Sequence, residues 1–349
     1  MIRANVVERH PSYLAGQFPK AIRFAPEFRT GEFEFVEVDT KPARRAATVF
    51  RSIDPDNLRP SGLHLWWNLG KFKMGRYPFP YGDHWAAYIQ ARWDSGDHHA
   101  VRCPYGRLHT LLTQTPRNTR GGLTTEHGEK LCNVDVACCQ LLLTGLAAAT
   151  AYSNNNTACH TNVMSRIFSS RGAHGLSTSI PDDVAEWIRL CETGQIYPYM
   201  QDRVRQFDEP AWQWIERDNG KRMRIDMRDA SAKQIKRATL IPMFDRQARA
   251  EANPVFQVIL EDFPGIARFV RQVKREKHEA LACLLQGLES FIMIDRVGNR
   301  MRTHFQDEIL QSIHDAMIVR VGFGETMSEI IKDEFSRFGV SPTVKTGSL

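Results

Sequence analysis

Apolar and polar positions alternate along this chain with two different periods. Over 309–321, ILQSIHDAMIVRV sets two β-rich apolar runs either side of His314 and Asp315, which predicts a β-hairpin with those two residues at its turn. KLCNVDVA alternates as a strand, with Leu131, Asn133 and Asp135 on one face and Cys132, Val134 and Val136 on the other. From Cys138 to Tyr152 the composition changes to Leu and Ala, so a buried helix should follow that strand. Helical spacing returns in PDDVAEWIRLCETG, with Pro181 in its first turn and Gly194 past its end, and EPAWQWIERDNG is also read as a helix. No chemistry is found between 153 and 224, which has the character of an insertion.

MRDASAKQIKRATLIPMFDRQA predicts a further helix capped by Asp229 or Ser231, which Pro242 should kink or end. Lys236, Leu240 and Phe244 share one face of it. The run from Lys277 to about Ile294 turns Leu281, Leu284, Leu285, Leu288 and Ile292 inward. Glu289, three residues after Gln286, reads as an ordinary surface charge, and ETMSEIIKDEFSRFG closes the chain as an amphipathic helix.

Composition narrows the class. With 349 residues and 42% hydrophobic, the chain can bury a full core as one large or two intimate domains. A net charge of +6 permits a polyanionic partner without requiring one. No 18-residue apolar run or signal peptide is present, so a soluble, cytoplasmic protein without a membrane partner is expected. Seven cysteines form no C-x-x-C pair; Cys159-His160 with His174 fits no common zinc spacing, and buried free thiols are expected.

Two aspartates end apolar strands. Asp135 enters a helix that starts too late for capping to explain it fully, and Asp315 sits in a turn, where Asp is also ordinary. Basic segments accompany them. YGRLHTLLTQTPRNTRGGL carries Arg107, His109, Arg117 and Arg120, suited to phosphate or base-edge contacts or to a solvated loop. Lys236 with Phe244 could hold a triphosphate and its base, or be a solvated Lys beside a core Phe. KPARR at 41–45 is a basic cluster, and the stretch 60–85 mixes Trp66, Trp67, Phe72, Tyr77, Phe79 and Tyr81 with Lys71, Lys73 and Arg76. Such a mixture either binds nucleic acid or packs its rings inward.

In this order the segments from about 105 to 321 resemble the polymerase module of family A DNA polymerases, and also its small, divergent relatives in phages and mobile elements. Gly106-Arg107-Leu108 is similar to the motif whose arginine touches the primer terminus. Asp135 looks like the first metal-binding aspartate, Lys236 and Phe244 like the fingers-helix lysine and aromatic, Gln286-Gly287 like the Q-G helix, and His314-Asp315 like the second metal-binding motif. The resemblance implies an α+β right hand: a small antiparallel palm at 101–224 and 296–349, helical fingers at 225–295, and a reduced thumb-like or accessory region at 1–100.

It also implies a template-directed DNA polymerase that uses two Mg²⁺ (or Mn²⁺) ions on Asp135 and Asp315. Lys236, Arg237, Phe244 and Gln140 would meet the nucleoside triphosphate; Arg107, His109, Arg117, Arg120, Gln286 and His314 would meet primer–template, DNA or RNA. The chain departs from the family where VACCQ follows Asp135 instead of a Tyr-Ser-Gln-Ile-Glu run, so the ribose-screening glutamate has no counterpart. Ala232, Phe244-Asp245 and Ala316 stand where the family has an arginine, a Tyr-Gly pair and an acid. Three other functions fit the same residues: an RNA-synthesising or template-independent nucleotidyltransferase, a metal-dependent nuclease, and a catalytically silent nucleic-acid-binding module.

Overall fold

The protein is described by a computed structural model covering residues 7–9, 22–24, 61–62, 64–65, 68–75, 84–94, 100–153, 180–216, 222–275 and 277–349. It combines helices with small antiparallel sheets. The strands are β1 (Val7–Arg9), β2 (Ile22–Phe24), β3 (Phe72–Met74), β4 (Ala100–Arg102), β5 (Leu108–Thr110), β6 (Leu123–Thr125), β7 (Leu131–Val136), β8 (Trp212–Glu216), β9 (Arg222–Asp226), β10 (Gln311–Ile313), β11 (Ala316–Arg320) and β12 (Val344–Ser348). The helices that matter here are α1 (His84–Asp94), α2 (Cys139–Ser153), α3 (Asp182–Glu192), α4 (Ile196–Arg205), α5 (Ala232–Phe244), α6 (Pro254–Asp262), α7 (Pro264–Val273), α8 (Ala280–Ser290), α9 (Gly298–His304) and α10 (Gly324–Ser336).

One four-stranded sheet, in the order β10-β11-β7-β12, carries the strands of interest. The β10–β11 hairpin turns at His314 and Asp315, and β11 pairs with β7 so that Ala316 faces Asp135. On the other side of β7 lies β12, with Lys345 opposite Asp135. This last strand has no apolar alternation to mark it in the sequence; β7 supplies the pairing that makes it a strand.

Behind the sheet, α2 is buried along nearly its whole length, as its Leu/Ala composition predicts. It lies close to α3 at Gly145, where a β-carbon would come within 2.6 Å of Ile188 Cγ1 and 2.9 Å of Trp187 Cδ1. Only glycine fits that crossing. The Trp187 indole N–H donates to the Leu141 carbonyl at 2.8 Å, so its polar edge is satisfied in the core. A second core gathers Leu69, Phe72, Ile89, Leu111, Ile313 and Ile318, so Phe72 packs inward. The basic segment 41–45 and the rings of Trp66, Trp67, Tyr77, Phe79 and Tyr81 lie outside the described residues, as do Cys159, His160 and His174.

Helix α5 carries Lys236 and is held firmly at both ends. The Ser231 amide donates to Gln234 Oε1 at 2.7 Å, giving half of a capping box. Pro242 neither ends the helix nor orphans a carbonyl: Asn253 Nδ2 donates to the Ala238 oxygen at 2.7 Å, where the missing proline N–H would have bonded. The buried Lys274 ammonium donates to the Pro242 carbonyl at 2.7 Å and to that of Asp245.

The segment expected to be a helix at EPAWQWIERDNG instead forms β8 and turns back as β9. Trp212, Gln213 and Trp214 alternate exposed, buried, exposed, a period of two that outweighs the Pro signal. At the other end of the chain, α8 runs into a π-helix at Phe291–Val297 before α9. The described cysteines are free; Cys132, Cys139 and Cys191 are buried, while Cys103, Cys138 and Cys283 are partly exposed. Among the described residues no helix is long and apolar enough to cross a membrane.

Candidate active site

The two aspartates belong to neighbouring strands at one end of the sheet. Asp135 is the penultimate residue of β7, and Asp315 immediately precedes β11 with its carbonyl accepting from the Val136 amide at 3.3 Å. Two left-handed residues flank the pair: Cys138, φ 55°, lets the chain leave β7 and enter α2, and His314, φ 56°, closes the hairpin. Each costs about 1–2 kcal/mol in a residue other than glycine. Strain of this kind persists where the surrounding structure fixes the backbone, commonly beside functional groups.

Burial, then the charge of Asp315, pushes the Asp135 carboxyl up to about 6 against the opposing pull of Lys236, Lys345 and Arg117. Burial also raises Asp315, opposed by Lys236 and Arg107. Two partly buried carboxylates that repel one another are stabilised in their charged forms by a cation between them. Among the described residues no group of three or more His, Cys, Asp or Glu side chains is placed to hold a metal. A two-carboxylate set still fits Mg²⁺, which commonly takes one or two carboxylates and completes its shell with water and substrate phosphates.

Lys236, exposed on α5, lies within the field of both aspartates. Its Nζ stands 5.7 Å from the centroid of the Tyr197 ring on α4. Burial first, then the thiols of Cys138 and Cys191 and the charge of Asp315, raises the Tyr197 phenol, which therefore stays neutral. Tyr197 comes from the stretch in which the sequence showed no chemistry. Phe244, two turns along α5, is partly buried and packs against the main core, while Arg237 beside Lys236 is exposed.

A third group of residues enters from the basic segment. Gly106, φ 85°, makes the turn before β5, and a β-carbon there would come within 3.0 Å of the Ser290 Cβ. That contact sets Arg107 against α8, where it forms a bidentate pair with Glu289 (Nε–Oε1 2.9 Å, Nη2–Oε2 3.0 Å). Glu289 is therefore no surface charge: it is 1% exposed, and Gln140 Nε2 also donates to it. The periodicity held the signal, because 289 falls four after Leu285 and three before Ile292, on the stripe that turns inward. Gln140, expected at the nucleotide, thus has its amide nitrogen committed to Glu289.

Burial pushes Glu289 up to about 7, outweighing the pull of Arg107 and Gln140. Arg107→Met should accordingly lower the melting temperature more at pH 8, where an unpaired buried carboxylate would carry charge, than at pH 5.5, where it is protonated. Equal losses at both pH values would contradict this. The sign follows from the direction: a folded-state pKa raised above 4.5 makes stability fall as pH climbs towards about 7, and losing Arg107 raises it further.

His314 is pushed down to about 4 by the protein around it and then by Arg107, His109 and Arg120, so its imidazole is neutral and those three basic side chains gather near it. Arg120 Nε donates to the Thr115 carbonyl at 2.9 Å, and Arg117 is exposed on the side of Asp135. Gln286 lies partly buried on α8, one turn before Glu289. Asp135, Asp315, Lys236, Arg107, Arg117, Gln140 and His314 thus converge from β7, the β10–β11 turn, α5, α2 and the basic segment. Glu289, Tyr197 and Lys345 join them unannounced by any motif.

Comparison with known proteins adds little to this geometry. No protein-family model and no curated protein matches the chain. Among solved structures, the chain is similar to the polymerase domain of Pol1 from M. smegmatis, in complex with DNA primer-template and dNTP, at 13% identity and a TM-score of 0.35. The match covers 75% of this chain and 50% of that one, so the chain spans about half the length of the polymerase domain. At that TM-score the likeness does not establish a shared fold.

Proposed function

We propose that this protein is a nucleotidyltransferase, a template-directed DNA polymerase that extends a primer 3′ end. The observation that carries this reading is the meeting of Asp135 and Asp315 on adjacent strands with Lys236 inside the field of both. Paired carboxylates alone also suit a nuclease; Lys236 and Phe244 on one face of α5, suited to a triphosphate and its base, favour nucleotide transfer.

Asp135 and Asp315 would hold two divalent ions, Mg²⁺ or Mn²⁺, whose part is to polarise the phosphoryl oxygens and favour the alkoxide of the attacking hydroxyl. In the transfer the primer 3′ oxygen bonds to the α-phosphorus and gives up its proton to solvent, while the bond from that phosphorus to the α–β bridging oxygen breaks and pyrophosphate leaves. Lys236 neutralises the β- and γ-phosphates and stabilises the charge that develops on the leaving group. Phe244 stacks on the incoming base, and Arg237 adds positive charge beside the phosphates. Arg107, held by Glu289 through two of its donors, keeps Nη1 for the primer terminus, with neutral His314 and Gln286 beside it. His109, Arg117 and Arg120 face the nucleic-acid backbone.

In this reading the four-stranded sheet is the palm, assembled from 101–224 and 296–349. Residues 225–295 are the fingers, and 1–100 are assigned a thumb-like or accessory role. Incubation with primer–template, Mg²⁺ and each nucleotide set tests the proposal on one gel. Primer extension supports it; primer shortening indicates a nuclease, and a mobility shift alone indicates a binding module.

Sugar choice is a sharper expectation. Position 140, five residues after Asp135, is a glutamine whose amide is held by Glu289, and no glutamate screens the 2′ position. Single-turnover incorporation should discriminate weakly between deoxy- and ribonucleotides, which leaves RNA synthesis as the alternative product. A preference for deoxynucleotides of about a thousandfold, roughly 4 kcal/mol, would contradict this.

A further inference from the structure

We propose that the β8–β9 hairpin is a platform for single-stranded nucleic acid, with Trp212 and Trp214 stacking on bases and Arg224 pairing with a phosphate. Trp212 is 47% exposed and Trp214 57% exposed, while Gln213 between them is buried. Two large apolar rings left in water on one face of a strand are a conspicuous departure from ordinary burial. The hairpin does not need them for its own anchoring. The Met227 amide donates to the Ala211 carbonyl at 2.8 Å, and Asp226 accepts from the Ala211 amide at 3.1 Å.

The charge on that face selects the partner. Trp214 is paired with Arg224 across the hairpin, and the Arg224 guanidinium also lies over the Trp212 ring, 4.9 Å from its centroid. Asp226, opposite Trp212, is neutralised by Arg228 (Nε 2.9 Å, Nη2 2.7 Å). A cation among aromatic rings is the arrangement that binds single strands, because every base has a π-face and every linkage a negative charge. Glu209 and Glu261 line the cleft beside Trp212 and disfavour phosphate there, leaving the Arg224 side for the backbone.

Spacing argues for an unstacked strand. Side chains two residues apart on a strand stand about 6.7 Å apart, roughly twice the ~3.4 Å repeat of bases in a duplex. In a duplex the base faces are also covered by their neighbours. The platform should therefore prefer single strands. It requires neither the carboxylate pair nor a nucleotide, and it stands whether or not the protein is a polymerase.

The test is intrinsic tryptophan fluorescence of the full chain, titrated with a short oligodeoxythymidylate in the absence of metal and nucleotide. The wild type should be quenched by the single strand and much less by a duplex of equal length. Trp212→Ala/Trp214→Ala should lose most of the quench and bind about tenfold or more weakly, in line with the loss of aromatic stacking. Arg224→Gln should weaken binding severalfold and flatten its salt dependence. All three changes are on exposed side chains, and an unaltered circular dichroism spectrum checks the fold. An absent quench in the wild type, or unchanged affinity and quench in the double variant, would overturn the proposal. So would a double variant that keeps its oligonucleotide affinity but loses binding to anionic vesicles or self-association, which would assign the rings to a membrane surface or a second copy.

Discussion

Asp135→Asn and Asp315→Asn are each expected to abolish nucleotide transfer while leaving the protein folded. Both sit partly buried at strand ends, and the bond that ties this edge of the sheet runs from the Val136 amide to the backbone carbonyl of Asp315, which the substitutions leave in place. Burial raises both carboxyls, and the charge of Asp315 raises Asp135 further, so their charged forms oppose folding when no cation is present. The folded-state value of Asp135, about 6 against an ordinary 3.8, means metal-free stability falls as pH rises through that interval and stays low above it. Each variant should therefore melt at or slightly above the wild-type temperature without metal at neutral pH. The wild type alone should gain stability on adding Mg²⁺ or Mn²⁺. A variant that unfolds would make the residue structural, and one that keeps full activity would remove it from the chemistry.

Lys236→Ala should slow incorporation by about two to three orders of magnitude, the usual loss on removing one electrostatic donor to a transition state. Primer–template affinity should barely change, since the lysine comes from α5 and not from the basic segment at 105–123. Its position depends on α5 being fixed by the Ser231–Gln234 cap, the Asn253 bond to Ala238 and the Lys274 bond to Pro242. It depends also on Tyr197, whose ring face meets the ammonium. Tyr197→Phe keeps that face and should retain most of the rate. Equal losses in rate and in nucleic-acid affinity for Lys236→Ala would relegate the lysine to backbone binding.

Much of this was legible in the sequence wherever period and punctuation agreed. Strand β7 shows the predicted alternation, α2 the Leu/Ala run, and the β10–β11 hairpin turns at the two residues that separate its apolar halves. Helix α5 starts at the expected serine and continues past its proline, because a distant asparagine satisfies the freed carbonyl. Such compensation is tertiary and leaves no local trace.

The same holds for β12, a polar strand that exists through its pairing with β7, and for Tyr197, which reaches the site from a segment without a motif. Two misreadings had signals that were present but outvoted. Glu289 lay on the inward stripe of α8, and Trp212, Gln213 and Trp214 alternated with the period of a strand inside a stretch bounded like a helix. Both bear on function, as a buried carboxylate and a pair of exposed tryptophans are departures from ordinary burial.

The most direct test of the carboxylate pair is rapid-quench incorporation of a single nucleotide into a labelled primer–template, run in parallel with wild type and Asp315→Asn at saturating Mg²⁺. The wild type should lengthen the primer by one residue and release one pyrophosphate per addition, and the variant should do neither. A wild type that leaves the primer unextended, or an Asp315→Asn protein that extends it at the wild-type rate, would contradict the account.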